Sequence, residues 1–238
     1  MRFLAAIWRI FLRFIETIVK IMCGRFYLNS SIAEIVEQFN APPPDIFAAR
    51  YNIAPTTPIL ARTAKGLTFF RWGLIPSWAK DLSIGNRMFN ARAETIAEKP
   101  SFRQAYRRRR CLIPANGFYE WKTENGRKQP YCCHIDHKLF AMAGIWEQWQ
   151  DGEGNQLQSC AVITTEANDA MREVHTRMPV HIAEADYSSW LDCRSEKTDV
   201  AAAIIQNTSP DYEYYAVSSA VSNSRNEGPE LIRAIDGD

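Results

Sequence analysis

Frequent interruption by proline, glycine and asparagine is the feature that most constrains how this chain can fold, because it divides the sequence into short segments. Segments with strand character occur near 25–29, 57–62, 67–72, 111–114, 130–135, 139–148, 157–165 and 212–217. Short helices fit near 31–39, 102–106, 165–174, 184–192 and 197–206. The two kinds of element alternate irregularly, without an internal repeat or a Walker or dinucleotide glycine motif. We therefore predict an α+β fold, a single domain built on an antiparallel, distorted barrel-like β-sheet with flanking helices.

Two local signals fix element boundaries. Ser31 and Glu34 have the spacing of a capping box, which predicts a helix that begins there and runs to about Phe39. Asn125-Gly126 between two strand-like segments predicts a tight hairpin turn.

The charge of the chain argues against a generally basic nucleic-acid-binding protein. Its 238 residues include 28 Lys and Arg against 27 Asp and Glu, a formal charge of +1, and its 46% hydrophobic residues are ample for a core. Residues 1–21 carry +3 of this charge, which leaves −2 for the rest. Any nucleic-acid surface must therefore arise from local clustering of cations.

Residues 1–21 form an amphipathic basic segment, with apolar side chains at helical spacing and cations on the other side. The segment is too frequently charged to span a bilayer and has no signal-peptide cleavage site. Two interpretations remain: a surface membrane anchor, or sequence upstream of the true start. We favour the second, because Met22 provides a start directly before Cys23.

The six cysteines show no CxxC spacing, which indicates a reducing, cytoplasmic protein without structural disulfides. Cys132, Cys133, His134 and His137 form the densest group of metal-ligand side chains. Adjacent strand residues point to opposite faces, and no second ligand pair follows. We therefore predict neither a metal nor another cofactor.

Met22-Cys23 carries the most distinctive chemistry. If the chain starts at Met22 or is cut after it, Cys23 presents an α-amine of pKa roughly 7.7–8.0 beside a thiol of pKa about 8.5. An aldehyde can form an imine with that amine and then close through sulfur into a thiazolidine ring. The alternative is an ordinary core cysteine.

Two further residues are candidates for proton transfer. Glu120, among Phe118, Tyr119 and Trp121, would have a raised pKa if buried there, as a general acid requires; alternatively it faces water. His175 is predicted in a loop, a suitable place for proton transfer. The four arginines at 107–110 form either a solvated face or a path for phosphates.

Six short motifs occur in order: MCGRF at 22–26, YNIAP at 51–55, WGLIP at 72–76, NARAET at 90–95, GFYEW at 117–121 and HTRMP at 175–179. Together they resemble the SRAP family, the SOS-response-associated peptidases or abasic-site processing proteins. The resemblance implies an SRAP domain over 22–233, preceded by the extension 1–21 and followed by a short tail, 234–238.

The resemblance also implies a function: binding of single-stranded DNA at abasic sites, and a covalent thiazolidine crosslink between N-terminal Cys23 and the ring-opened sugar aldehyde. It further implies autoproteolytic exposure of Cys23, a lyase activity, a role in DNA damage repair, and a cytoplasmic monomer that joins the nucleoid when bound to DNA. The roles carried over are Cys23 as nucleophile, Asn90 as its orienting group, Glu120 and His175 as acid/base groups, Arg25, Arg92 and Arg177 as phosphate contacts, Trp78, Trp121 and Pro55 as stacking surfaces, and Asn52 as a further DNA-binding residue.

Two departures from the family pattern stand out. Ala79 follows Trp78 where some relatives have a second tryptophan, and the extension before Met22 would block the Cys23 amine. Two other functions remain as alternatives. One is a conventional cysteine peptidase that uses Cys23 and His175 on peptides in trans. The other is a non-catalytic single-strand-binding module that needs the arginines and tryptophans alone.

Overall fold

The structure is a computed structural model that describes residues 23–208 and 210–235. The predicted amphipathic segment 1–21 and Met22 therefore lie outside the described residues. Within the described part of the chain, no helix has the length and apolarity needed to cross a bilayer.

Thirteen strands account for most of the regular structure of the described residues. In chain order they are β1 (Phe26–Leu28), β2 (Arg50–Ile53), β3 (Pro58–Thr63), β4 (Gly66–Trp72), β5 (Asn90–Arg92), β6 (Arg110–Ala115), β7 (Gly117–Glu124), β8 (Arg127–His134), β9 (Phe140–Gln150), β10 (Gln156–Glu166), β11 (Arg177–Pro179), β12 (His181–Ile182) and β13 (Glu213–Ala216).

The helices are short. They are α1 (Ile32–Phe39), α2 (Arg103–Arg108), α3 (Asp169–Arg172), α4 (Tyr187–Leu191) and α5 (Asp199–Asn207), with 3-10 turns at Leu82–Arg87, Ala93–Thr95, Glu184–Asp186, Ser219–Ser222 and Pro229–Ile232. The capping box at α1 is confirmed, because the Ser31 hydroxyl accepts from the Glu34 amide and the Glu34 carboxylate accepts from the Ser31 amide.

Five strands close into a barrel in the order β10-β4-β3-β6-β9, with β9 pairing back onto β10. The α+β, barrel-like fold predicted from the sequence is thus confirmed. Its pairing is antiparallel except where β10 runs parallel to β4 and to β5. These two exceptions were not predicted, because they join segments about 70 to 90 residues apart that local patterns do not connect.

A second, wholly antiparallel sheet has the order β13-β8-β7-β1-β2. The chain passes from the barrel to this sheet where β6 continues through Asn116 into β7. The buried Asn116 side chain accepts hydrogen bonds from the amides of Asn29 and Ser30. This junction therefore fixes the start of β7 beside the end of β1.

The β7–β8 turn is the predicted hairpin. Asn125 and Gly126 both have positive φ, 49° and 76°, as a type I′ turn requires. The hairpin places Glu120 opposite Tyr131, with Phe118 opposite Cys133.

The arginine run at 107–110 is divided between surface and interior. Arg107 and Arg108 end α2 and are exposed, whereas Arg110 begins β6 and is 3% exposed. Its guanidinium donates to the backbone oxygens of Tyr106, Trp190 and Asp192. Arg110 is therefore a structural residue of the barrel end.

Candidate active site at the junction of the two sheets

Cys23 joins the two sheets through its backbone. It lies three residues before β1 and is 1% exposed. Its amide nitrogen donates to Glu120 Oε1 on β7 at 2.6 Å, and its carbonyl oxygen accepts from Asn90 Nδ2 on β5 at 3.2 Å. The structure therefore brings three of the predicted catalytic residues into direct contact.

Glu120 is a buried carboxyl group aimed at the nitrogen of Cys23. It is 2% exposed and lies on β7, paired with Tyr131 of β8. Desolvation raises its pKa to about 8, although hydrogen bonds from the amides of Cys23 and Trp121 and the charge of Lys128 act in the opposite direction. At neutral pH this carboxyl group is mostly protonated and can both give and take a proton.

The Cys23 thiol is buried near weakly acidic side chains. Burial, and then the nearby Glu120, raise its pKa well above the usual value. The buried Tyr212 and Cys133 interact with the same thiol, and Tyr212 also packs edge-on against Phe118. The thiol is therefore a neutral S–H group in the described structure, without a cation that would stabilise a thiolate.

β5 and β11 carry the other site residues on the barrel side of the junction. β5 pairs with β10 so that Asn90 lies opposite Val162 and Arg92 opposite Thr164. β11 pairs with the other edge of the same segment, which places Arg177 opposite Glu166. The C-terminal end of β10 thus positions Asn90, Arg92 and Arg177 along one rim.

His175 lies in the loop between α3 and β11, as predicted. It is 8% exposed, and its Nδ1 lies 3.1 Å from the amide nitrogen and 3.3 Å from the carbonyl oxygen of Arg177. Glu173 in the same loop interacts electrostatically with Lys122 of β7, on the strand face that carries Glu120. The His175 loop therefore lies near the second half of β7.

The side chains of Arg25 and Asn52 hydrogen-bond to each other and to the backbone of the segment 221–226. Arg25 Nη1 donates to Asn52 Oδ1 and to the Val221 carbonyl, both at 2.7 Å, and its guanidinium lies 5.8 Å from the ring centroid of Trp121. Asn52 is 1% exposed and its Nδ2 donates to the carbonyls of Val221, Asn223 and Asn226. Both side chains thus hold the segment 221–226 against β2.

A cleft beside the site is lined by three arginines, Arg92, Arg172 and Arg177, and by Glu166 and Thr176. The arginines of the cleft differ in how freely they can bind an anion. Arg92 is exposed, whereas Arg177 forms a two-point ion pair with Glu94, with both nitrogen–oxygen distances 2.9 Å. The cleft is electropositive, but part of the charge of Arg177 is neutralised inside the protein.

The predicted stacking residues lie at different depths. Trp78 is 59% exposed in the loop after β4, and Pro55 and Trp121 are half-buried. The Trp78 loop is anchored because the Trp149 indole donates to the Ala79 carbonyl and the Ile75 amide donates to Ser159 Oγ. Gly73 has a φ of 134°, and a Cβ there would meet the Gly85 carbonyl at 2.5 Å, so only glycine fits at the base of this loop.

No group of three or more metal-ligand side chains occurs among the described residues. His134 and His137 instead stack on each other, with ring centroids 3.7 Å apart.

Sequence reasoning missed three contributors to the site: Tyr212 beside the Cys23 thiol, Glu94 as partner of Arg177, and the segment 221–226 held by Asn52. Glu94 lies inside the NARAET motif, so its position two residues after Arg92 was an available signal. Tyr212 and the segment 221–226 come from the far end of the chain, and nothing in their local sequence points to Cys23.

A family model described as SOS response associated peptidase (SRAP) matches residues 22–224. The "Abasic site processing protein YoqW" of Bacillus subtilis (strain 168) is 43% identical over 223 residues, covering 90% of this chain and 100% of that protein. The "Abasic site processing protein HMCES" of Pongo abelii is 31% identical over 238 residues, covering 81% of this chain and 67% of that protein.

Solved structures give the same architecture. The crystal structure of a protein from Bacteroides thetaiotaomicron superposes with a TM-score of 0.80 at 25% identity and covers 90% of this chain and 100% of that chain. A protein from Bordetella bronchiseptica superposes with a TM-score of 0.72 at 24% identity, a likeness of fold alone.

Proposed function

Because the chain belongs to the SOS response associated peptidase (SRAP) family, we propose that it processes abasic sites in single-stranded DNA through a covalent bond to Cys23. The resemblance found in the sequence motifs is thereby confirmed. The observation that carries the proposal is the 2.6 Å contact between the Cys23 nitrogen and the buried Glu120 carboxyl group. It places a proton-transfer group against the atom that would attack an aldehyde.

The proposed reaction is a condensation. The free α-amine of Cys23 attacks C1′ of the ring-opened sugar, and the resulting carbinolamine loses water to give an imine. The thiol sulfur then adds to the imine carbon, and the thiol proton ends on the nitrogen. One C–N and one C–S bond form for each water released, and the product is a thiazolidine. This route needs no preformed thiolate, which agrees with the raised pKa of the Cys23 thiol.

Glu120, Asn90 and His175 have separate roles in this proposal. Glu120 protonates the ring oxygen of the sugar and regains a proton from the C1′ hydroxyl as the ring opens. It then protonates the leaving hydroxyl of the carbinolamine and takes up the proton that the nitrogen loses, as a carboxyl group with a pKa of about 8 can at neutral pH. Asn90 holds the Cys23 carbonyl and so orients the attacking nitrogen. His175, fixed by the Arg177 amide, supplies a second acid/base group and would serve reversal or strand cleavage.

Arg92 and Arg177 at the cleft would hold backbone phosphates, while the exposed Trp78 would stack on a base. Asn52 contributes by holding the segment 221–226, and Arg25 by supporting Trp121. The predicted DNA-binding set thus divides into residues that would touch DNA and residues that would support them.

Reaction requires a free amine, so the bond between Met22 and Cys23 must be hydrolysed, which we assign to the protein itself. Cys23 has a φ of 21°, in the positive region that residues other than glycine rarely adopt. The raised pKa of the Cys23 thiol argues against the alternative of a general cysteine peptidase, which depends on a thiolate.

Intact mass spectrometry tests the proposal. The protein is measured before and after incubation with single-stranded DNA that holds one abasic site. We expect a chain that begins at Cys23, followed by a mass gain equal to the DNA less one water. A chain that retains the residues before Cys23 and gains no mass would contradict the proposal.

The variant Cys23→Ala separates the two nucleophiles. With its α-amine free, it should form only an imine, which borohydride traps and which reverses without reduction, while undamaged DNA binds with unchanged affinity. Cys193→Ala, which removes the half-buried thiol of Cys193, is the matched control and should crosslink normally. A stable crosslink formed by Cys23→Ala without reduction would contradict the role of the sulfur.

A further inference from the structure

A second group of cations lies at the other end of the barrel. We call it the basic pocket, and its charged lining residues are Arg62, Lys65, Arg108, Arg109, Arg110 and Arg194, with Asp192 among them. The half-buried indole of Trp146 forms part of its wall. None of these residues has a role in the chemistry proposed for Cys23.

The strand register shows how far the basic pocket lies from the catalytic junction. Arg110 at the start of β6 pairs with Ile145, whereas Ala115 at the end of β6 pairs with Phe140. Only the far end of β6 leads through Asn116 into β7 and to Glu120. The length of β6 alone separates the two ends of the barrel by about 16 Å, so the basic pocket is a separate site.

Acidic side chains compensate only part of the charge of the basic pocket. Arg109 pairs with Glu147, Arg108 with Glu196 and Arg194 with Asp192. Among the ion pairs of the described residues, none involves the remaining three cations, Arg62, Lys65 and Arg110. The basic pocket therefore carries a net positive charge even though the chain as a whole is close to neutral.

Backbone oxygens hold the two uncompensated arginines in place. Arg110 donates to three carbonyls, and Arg62 donates to the carbonyls of Phe39, Asn40 and Thr63. Neutral carbonyls fix the position of a guanidinium without cancelling its charge. The half-buried Arg62 is a fixed cation that can receive an anion with little loss of side-chain entropy, whereas the buried Arg110 adds positive charge without a direct contact.

Arg109 provides a second, independent observation. Its guanidinium lies 6.0 Å from the ring centroid of Trp146, and its Nε is buried without a hydrogen-bond partner among the described residues. Trp146 in turn stacks on Phe70 at 5.1 Å. The indole is thus occupied by Phe70 and Arg109, and it fixes the Arg109 guanidinium in the wall of the basic pocket.

From these contacts we propose that the basic pocket is a second nucleic-acid site, which binds the phosphodiester backbone of a single strand without covalent chemistry. Its cations come from the β3–β4 hairpin, the end of α2, the start of β6 and the loop after α4. Four separate elements therefore contribute cations to one site, and together they give the basic pocket the positive charge that attracts a polyanion. One chain thus holds two strands, or two parts of one strand.

Counting bound strands tests this proposal without any abasic site. A short undamaged oligothymidylate of about 8 nucleotides, within the usual footprint of one single-strand site, is titrated into the protein under native mass spectrometry and by fluorescence anisotropy. We expect two oligonucleotides per chain. The double variant Lys65→Gln, Arg108→Gln removes two exposed cations of the basic pocket and should bind one.

Salt dependence gives the size of the effect. The slope of log K against log salt is negative, and each lost phosphate contact makes it less steep by about 0.7. For the two cations removed, the slope at the basic pocket should become less steep by about 1.4. If the two proteins bind equally at about 1 M salt, the double variant should bind roughly 25-fold more weakly than the unaltered protein at about 0.1 M salt. Lys138→Gln, which removes an exposed cation from the turn between β8 and β9, is the matched control and should change neither the stoichiometry nor the slope at this site.

Several outcomes would overturn the proposal. They are equal binding by the double variant and the unaltered protein, binding of inorganic pyrophosphate but not of oligothymidylate at the basic pocket, and a stoichiometry of one for the unaltered protein that the double variant does not lower. Because the probe has no abasic site, a failure of the Cys23 chemistry leaves this measurement unaffected.

Discussion

At the scale of single residues, the burial of Glu120 links the chemistry of the site to the stability of the protein. The pKa of this carboxyl group is about 8 in the folded protein and about 4.3 when the chain is unfolded. Between these values the unfolded chain gives up a proton that the folded protein keeps. The contribution of Glu120 to stability is therefore fully present below about pH 4 and is lost as the pH rises through about 8.

Glu120→Gln should accordingly stabilise the protein while it disables the reaction. At pH 7 we expect a gain of about 3–4 kcal/mol in the free energy of unfolding, because the amide has no ionised form to desolvate. We expect crosslinking to slow by roughly 100-fold or more, since the proton donor is lost. Denaturant unfolding between pH 4 and 9 and the crosslinking rate measure the two effects, and the stability gain should disappear at the acid end.

Glu37→Gln on the exposed face of α1 is the control for removal of a carboxylate and should leave the crosslinking rate unchanged. A Glu120→Gln protein that is less stable at pH 7 would show that its second amide hydrogen is unsatisfied in the pocket. An unaltered crosslinking rate would remove Glu120 from the mechanism.

At the scale of elements, Asn52 connects β2 to the segment 221–226 with one buried side chain. Four hydrogen bonds converge on it, three to backbone carbonyls and one from Arg25. Trp121 is tied to the same segment, because its indole donates to Ser222 Oγ at 3.0 Å. The stacking surface of Trp121 therefore depends on Asn52 although the two residues lie on different strands.

Asn52→Ala should destabilise the protein by about 2–3 kcal/mol, since it leaves buried carbonyls without a donor. DNA affinity should fall as Trp121 loses its support, but the salt dependence of binding should stay as it is. The slope of log K against log salt distinguishes this supporting role from a phosphate contact. Arg92→Gln, which removes a phosphate contact, should make that slope less steep, whereas Asn52→Ala should not. A shallower salt dependence for Asn52→Ala would mean that Arg25, which Asn52 holds in place, neutralises a phosphate.

Local patterns in the sequence predicted the elements that local contacts stabilise. The capping box of Ser31 and the Asn125-Gly126 turn are complete within a few residues, so their geometry follows from side-chain type alone. β5 and β11, of three residues each, exist only because β10 lies beside them, and neither was predicted as a strand.

The site follows the same division. Cys23 and Glu120 were identified from their chemistry and neighbours, and burial of Glu120 was one of two alternatives that alternation could not decide. The partners of Arg177 and Asn52 depend on tertiary contacts across 83 and 169 to 174 residues. A single sequence predicts which side chains have useful chemistry, but not which of them are already occupied by another part of the chain.

At the scale of the whole molecule, cations are concentrated at two places on a chain with a formal charge of only +1. In the cleft, Arg92 is exposed, whereas Glu94 pairs with Arg177. This internal pairing limits how strongly the cleft attracts DNA. Arg92 and Arg177, with Glu94 as the partner of Arg177, therefore contribute to the cleft in different ways.

Arg92→Gln and Glu94→Gln should therefore change DNA binding in opposite directions. Loss of Arg92 should make the negative slope of log K against log salt less steep by about 0.7. Loss of Glu94 should make it steeper by up to about 0.7, because Arg177 becomes free for a phosphate. Fluorescence anisotropy with undamaged single strands at several salt concentrations measures both. Equal slopes for Glu94→Gln and the unaltered protein would mean that Arg177 stays bound to Thr164 and does not reach DNA.

The distance along the chain between Cys23 and its partners sets an order of events during synthesis. Glu120 follows Cys23 by 97 residues, and Tyr212 comes near the far end of the described chain. At about 5–20 residues per second, roughly 10–40 s pass between the synthesis of Cys23 and that of Tyr212. During that interval the pocket does not exist, and whatever precedes Cys23 is open to aminopeptidases at the ribosome. A nascent chain trimmed in this interval would fold with its Cys23 amine already free. Under the proposed function, aminopeptidases at the ribosome would therefore compete with the protein's own hydrolysis of the bond before Cys23.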